Sequence, residues 1–161
     1  MRRVCYRLVM HTYQDTQRSP YSTQQIFELV LDIQRYPEFL PWCRAARILE
    51  RGENRLLAEM VVSFKHITES YVSEVIFKRP ASATEEGFIE VKLVQGPFEH
   101  LNNSWKFIPC PDGGTEISLE LSFKFRSRIL DSIIGFLFGK ASHKMVTAFK
   151  QRADSLYSKK S

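Results

Sequence analysis

The parity of the apolar residues between positions 43 and 125 constrains this chain more than any other feature. In 115–125 the alternation is strict: Glu116, Ser118, Glu120, Ser122 and Lys124 fall on one face, Ile117, Leu119, Leu121, Phe123 and Phe125 on the other. The same period recurs upstream. Glu59 and Lys65 mark a wet face and leave Ala58, Met60, Val62 and Phe64 on the dry one. Glu74 and Lys78 do the same for Tyr71, Ser73, Val75 and Phe77, with Glu69 on that inner side. Glu90 and Lys92 oppose Ile89, Val91 and Leu93, while Lys106 opposes Leu101, Asn103, Trp105 and Phe107. A period of two identifies strands with one buried and one solvated face. Strands are therefore expected at 43–51, 54–64, 67–79, 85–95, 99–109 and 115–125. Turn-forming stretches separate them: Gly52-Glu53-Asn54, Arg79-Pro80-Ala81-Ser82, Gly96-Pro97 and Pro111-Asp112-Gly113-Gly114. Such short turns join antiparallel neighbours, and no helical pattern intervenes, which excludes a parallel α/β sheet.

A one-sided sheet must bury its apolar face, and the chain offers two helical segments for this. The first follows a polar strand at 10–18, broken by Ser19-Pro20-Tyr21-Ser22. Ser22 or Thr23 can cap it, Gln25 or Glu28 suits its first turn, and Ile26, Phe27, Leu29, Val30 and Ile33 recur at helical spacing. It is expected to last about a dozen residues and stop near Tyr36, since the residue before Pro37 is pushed out of the α region. The second is Ser127–Tyr157, which as one helix would measure about 45 Å. Its first half, Ile129–Phe138, is apolar nearly all round except at Asp131 and Ser132. Its second half keeps a stripe at Met145, Ala148, Phe149, Arg152 and Leu156, with Lys144, Lys150 and Gln151 beside it. Gly135 and Gly139 each cost about 1 kcal/mol against Ala in a helix interior. They mark either a kinked, movable segment or close packing on the sheet. Between the two helices, Tyr36-Pro37-Glu38-Phe39-Leu40-Pro41-Trp42 forms a stiff corner that either plugs one end of the core or walls a hydrophobic site.

The order strand, helix, six strands, long helix predicts a single α+β domain over 10–157. In it a curved antiparallel sheet of about seven strands surrounds the C-terminal helix. Such a sheet is broader than one helix can cover, leaving either a thick aromatic core or a cavity. Residues 1–9 carry three Arg and no acid and are expected outside the fold, as a leader or because translation starts at Met10; 158–161 are expected as a tail.

Charge and reactive residues exclude several functions. The net charge is +5, but the basic excess sits in residues 1–9 and after Gly135, and the body between them is mildly acidic. That is unlike a nucleic-acid binder, whose basic residues interleave with aromatics across its body. The C-terminal bases Lys140, Lys144, Lys150, Arg152, Lys159 and Lys160 suit either a solvated helix end or a contact with anionic lipid or RNA. Three cysteines without CxxC spacing indicate free thiols and a reducing compartment. The four histidines show no metal-ligand spacing. No apolar run reaches the roughly 20 residues of a membrane span.

The corner Tyr36–Trp42 and the segment Gly96-Pro97-Phe98-Glu99-His100-Leu101-Asn102-Asn103-Ser104-Trp105-Lys106-Phe107 resemble the coenzyme Q-binding START-like family, within the polyketide cyclase/dehydrase and lipid transport superfamily. Phe123-Lys124-Phe125 and the opening of the last helix add to the resemblance, which covers about 10–157. It implies the helix-grip fold and a hydrophobic tunnel between sheet and last helix, holding ubiquinone or another isoprenoid lipid in support of respiratory electron transport or quinone biosynthesis. The family also includes a toxin-like factor that associates with ribosomes. The short leader is unlike the long transit peptides of mitochondrial members and implies a bacterial cytoplasmic protein, with peripheral contact at the inner membrane as an option. No catalytic cofactor or metal is implied.

The expected tunnel lining takes Tyr36, Phe39 and Trp42 from the corner and Met60, Val62 and Phe64 from the next strand pair. Tyr71, Val75, Phe77, Val91 and Leu93 continue it, followed by Leu101, Asn103, Trp105, Phe107, Leu121 and Phe123. Ile133, Leu137 and Met145 come from the helix. Asn103 is the best placed polar group, satisfied either within the protein or by a ligand carbonyl, with Glu69 and Tyr71 behind it. A cyclase-type enzyme would need an acid/base pair, for which Glu69, His66 and His100 are the available residues. A docking factor would use the basic C-terminal end.

Overall fold

The alternation becomes seven strands in the computed structural model, which describes residues 10–64 and 66–158. The elements are β1 (His11–Ser19), α1 (Thr23–Leu31), a 3-10 turn (Ile33–Glu38), β2 (Cys43–Arg51), β3 (Arg55–Phe64), β4 (Ile67–Lys78), β5 (Gly87–Gln95), β6 (Phe98–Pro109), β7 (Thr115–Phe125) and α2 (Arg128–Tyr157). They form one sheet in the order β1-β7-β6-β5-β4-β3-β2, with every neighbouring pair antiparallel. Consecutive hairpins build β2 to β7, and β1 closes on β7. The register keeps the inferred faces: Asn103 lies opposite Val91 and Leu121, and Trp105 opposite Ile89 and Leu119. In the β6–β7 turn, Gly113 has φ +89°, a conformation that L side chains resist, and the Asp112 carboxylate accepts from the Gly114 N–H.

Helix α1 opens on a capping box, with Ser22 Oγ accepting from Gln25 N and Gln25 Oε1 accepting from Ser22 N. It is shorter than expected and ends at Leu31. The Tyr36 ring folds back and its hydroxyl donates to the Val30 carbonyl, a group the helix end leaves unpaired. The chain between them is wound into the 3-10 turn, which accommodates Pro37. On its core side α1 inserts Phe27, fully buried, against Phe77 and Phe107 at ring distances of 6.0 and 5.8 Å.

The corner does both things the sequence left open, through different residues. Tyr36 and Phe39 meet the Phe149 ring edge-on at 5.5 and 5.2 Å, and Trp105 packs on Phe149 at 5.3 Å. These four rings plug the middle of the molecule. Trp42 instead stacks on Phe64 at 6.3 Å, farther along the sheet.

Helix α2 is continuous through Gly135 and Gly139. A Cβ on Gly135 would run into the His11 ring, so close packing on β1 explains this glycine. Ser127 caps the helix by accepting from Leu130 N, and Asp131 Oδ1 accepts from Phe125 N at 2.9 Å. At the far end, the Tyr21 hydroxyl donates to Asp154 at 2.6 Å and the Tyr157 hydroxyl to the Gln25 carbonyl at 2.9 Å. The apolar opening is only half covered: Leu130 and Ile134 are buried, whereas Ile129 and Phe136 are 77% and 90% exposed. Leu156, read as part of the inward stripe, is also exposed, and Ala153 takes the buried position near it.

Candidate functional site

Two cavities lie where one tunnel was expected. The first, of about 140 Å³, sits beneath the opening half of α2. Its floor is Val62 and Phe64 of β3, Tyr71 of β4, Phe98 and Leu101 of β6, and Leu121, Phe123 and Phe125 of β7. Trp42 closes one side, and Ile134, Leu137, Phe138, Ala141, Ser142 and Met145 form the roof. The second, of about 270 Å³, lies between β1, α1 and the closing half of α2. Its walls include Ile26, Val30, Trp105, Ile117, Leu119, Val146 and Phe149, with exposed Arg18, Lys150 and Asp154 among its lining residues. The division falls along β6 between Leu101, which lines the first cavity, and Trp105, which lines the second. Asn103 lies midway between them on the same face.

Three polar groups interrupt the apolar space around the first cavity. Ser142 is 3% exposed, lines the cavity, and its Oγ has no hydrogen-bond partner among the described residues. The Oδ1 of Asn103 is likewise buried without a partner. The Tyr71 hydroxyl is directed to the Met60 Sδ at 3.4 Å, a weak acceptor, and burial holds the phenol well above its ordinary pKa. Native folds rarely leave buried polar atoms unpaired, because each costs about 1–3 kcal/mol. Nearby, burial pushes the Cys43 thiol up to about 11.

The remaining expected lining residues fall elsewhere, for identifiable reasons. Trp42, Val62, Phe64, Tyr71, Leu101, Leu121, Phe123, Leu137 and Met145 do line the first cavity, and Trp105 lines the second. Val75, Phe77 and Phe107 point inward but into closed core, because α1 fills that end with Phe27. Val91 and Met60 pack on the same core cluster, and Tyr36 and Phe39 belong to the aromatic plug. Leu93 packs against the Phe98–Phe123–Phe125 cluster. Ile133 is 40% exposed on the outer side of α2, and its neighbour Ile134 takes the roof position.

Several lining residues were missed by the sequence reading. The inward aim of Phe98 was hidden by a register shift between Phe98 and His100. Ser142 follows Phe138 by four residues and precedes Met145 by three, a polar residue on an apolar helical stripe, and that spacing was the available signal.

The residues considered for acid/base chemistry do not converge. His66 is exposed in the β3–β4 turn, and His100 bonds Ser122 Oγ at 2.9 Å on the outer face of the sheet. Glu69 lies on the inner parity of β4 but outside the cavity lining, in which Tyr71 is the one ionisable residue among the described residues. Among the described residues no group of three or more His, Cys, Asp or Glu could hold a metal, and no helix is long and apolar enough to cross a membrane. Arg152 is withdrawn from the basic C-terminal cluster: it lies over the Phe39 ring at 5.3 Å and pairs with Glu38 at 3.4 Å. Lys159 and Lys160 lie outside the described residues.

A curved antiparallel sheet gripping a long C-terminal helix over apolar cavities defines a START-like protein. The family model for polyketide cyclase / dehydrase and lipid transport proteins matches residues 19–150, and the chain belongs to that family. It is similar to a "Ribosome association toxin RatA" from Rickettsia prowazekii, 41% identical over 89% of this chain and 97% of that protein. It also resembles a mitochondrial "Coenzyme Q-binding protein COQ10" from Dictyostelium discoideum, 31% identical over 91% of this chain and 70% of that one. Among solved structures, a START superfamily protein from Mycobacterium smegmatis superposes with a TM-score of 0.72 over 91% of this chain and 99% of its own. At 19% identity, that likeness concerns the fold.

Proposed function

We propose that this protein is a non-catalytic cytoplasmic carrier. It holds the polar head of an isoprenoid lipid, a polyprenyl quinone such as ubiquinone, in the cavity beneath the opening half of α2. The observation that carries this reading is the unpaired Ser142 hydroxyl in a chamber lined, apart from it and the Tyr71 hydroxyl, by apolar side chains. A quinone carbonyl accepts hydrogen bonds, and the Ser142 and Tyr71 hydroxyls on the cavity lining are donors, one without a partner and the other on a weak acceptor. Asn103 lies on the same face of β6, two residues beyond the lining residue Leu101, and its amide nitrogen is a further donor beside the space. The similarity to a protein named for coenzyme Q binding supports the same ligand class. At about 140 Å³ the chamber is smaller than the roughly 300–1,000 Å³ of ordinary ligand pockets. It therefore admits a head group, and the tail requires the opening half of α2 to shift outward. Such a carrier would serve quinone biosynthesis or respiratory electron transport.

Lipids extracted from the purified protein and analysed by mass spectrometry test this. Bound quinone or isoprenoid is expected, with lower occupancy in Ser142→Ala and Asn103→Leu. Absence of any such lipid, together with no uptake of added ubiquinone, overturns the reading.

The stronger similarity to proteins named for ribosome association favours a second reading, in which the chain binds ribosomes. Co-sedimentation with purified ribosomes over a range of salt concentrations tests it, and absence of binding at low salt counts against it. The two readings are compatible if a lipid-loaded and an empty form differ in what they bind.

A further inference from the structure

The outer face of α2 carries a stripe that the fold does not use. Ile129, Ile133 and Phe136 follow one another at helical spacing and are 77%, 40% and 90% exposed. Continuing along the same face, Lys140, Lys144 and Thr147 are exposed as well. The stripe thus passes within one turn from large apolar side chains to lysines. Arg128 is exposed at the opening turn, and the one acid between Arg128 and Lys150, Asp131, faces inward, where it bonds Phe125 N and approaches His11 Nε2 at 3.1 Å.

The geometry points to this stripe as a docking surface for an anionic lipid bilayer. A bilayer carrying acidic head groups satisfies both halves together. Phe136 and Ile129 enter the boundary between head groups and acyl chains, while Lys140 and Lys144 meet the phosphates. A nucleic-acid backbone would take the lysines but leave Phe136 in water. A second copy of the chain packed two-fold on this face would bury Phe136 but bring like charges together. The surface is independent of what the cavity holds. It is also the reverse side of the cavity roof, since Ile134, Leu137 and Phe138 project inward from the same turns.

Co-sedimentation of the full chain with vesicles tests the inference, using phosphatidylcholine alone and phosphatidylcholine with a quarter phosphatidylglycerol. Binding is expected to the mixed vesicles, weak on the neutral ones, and falling with salt. Ile129→Ser with Phe136→Ser, and separately Lys140→Glu with Lys144→Glu, are each expected to lower binding by about tenfold or more. The melting temperature should stay unchanged, because all four side chains are exposed. Ser142→Ala, which alters the cavity alone, should leave vesicle binding intact. The inference is overturned if the chain ignores the mixed vesicles or if the Ile129/Phe136 variant binds them as the parent does. It also fails if these substitutions abolish ribosome binding or dimerisation while vesicle binding persists.

Discussion

A buried hydroxyl without a partner weakens a fold by about 1–3 kcal/mol, whereas an alanine in its place has nothing to satisfy. In the ligand-free protein, Ser142→Ala is therefore expected to raise the unfolding free energy by about 1 kcal/mol in urea titrations. The same change should lower ubiquinone uptake, and that opposition separates a ligand-binding serine from a structural one. Three buried groups act together at alkaline pH. Burial raises the Cys43 thiol from 9.0 to about 11, and it also raises the Tyr36 and Tyr71 phenols. Each holds its proton more tightly folded than unfolded, so the unfolded chain binds fewer protons once pH exceeds about 9. The Cys43 contribution is complete below pH 9 and is lost as pH rises through 11, while that of the two tyrosines begins to be lost only above about pH 10. Melting temperatures measured from pH 7 to 11 should fall above 9, and Cys43 should resist iodoacetamide at pH 8 until the protein is unfolded. That Ser142 lacks a partner was not legible beforehand, because it depends on where distant segments meet, and the Tyr36–Val30 bond was hidden by the early end of α1 and the 3-10 turn after it.

Each half of α2 has its own anchors. The closing half is tied by Tyr21 to Asp154, Tyr157 to Gln25, Arg152 to Glu38 and the Phe149 ring cluster. The opening half rests on the Ser127 cap, Asp131, Leu130 and Ile134, with its outer face bare. Amide hydrogen exchange is expected to be faster over 129–138 than over 145–154, a difference that reports local opening. Gly135 offers a sharper test. Glycine to alanine inside a helix ordinarily gains about 1 kcal/mol, but the added methyl would strike the His11 ring. That ring is held at 5.1 and 6.1 Å from Phe123 and Phe138. Overpacking costs about 1–3 kcal/mol, so Gly135→Ala should destabilise the protein, and a second change, His11→Ala, should recover part of the loss. The strands were legible because charges recur every second residue along them. The exposure of Ile129 and Phe136 was not, since their composition matches that of a buried helix and only the position of the sheet distinguishes the two sides.

For the molecule as a whole, the order of elements was enough to anticipate the helix-grip arrangement, since a one-sided sheet and a single long helix leave little alternative. The division of the interior was not legible. It arises because Tyr36, Phe39, Trp105 and Phe149, far apart in the chain, meet at one place. If a lipid binds the folded state alone, saturating it at about a hundred times its dissociation constant should add about 2.7 kcal/mol of stability. A thermal melt with and without ubiquinone measures that gain, and no shift would mean that the ligand is of another kind.

The two outer strands carry one more consequence. Among the described residues β2 pairs with β3 alone, its register shifts between Cys43 and Ala45 and again between Ile48 and Glu50, and it exposes Arg44, Arg47 and Arg51. At the other rim, β1 alternates half-buried residues with exposed Thr12, Gln14, Thr16 and Arg18. Irregular or charged rims are poor templates for a stranger's strand. On these grounds the bulged, arginine-bearing β2 rim resists edge-by-edge growth into fibrils, whereas the regular β1 rim, with Arg18 the one charge among its exposed side chains, is the side more open to a foreign strand.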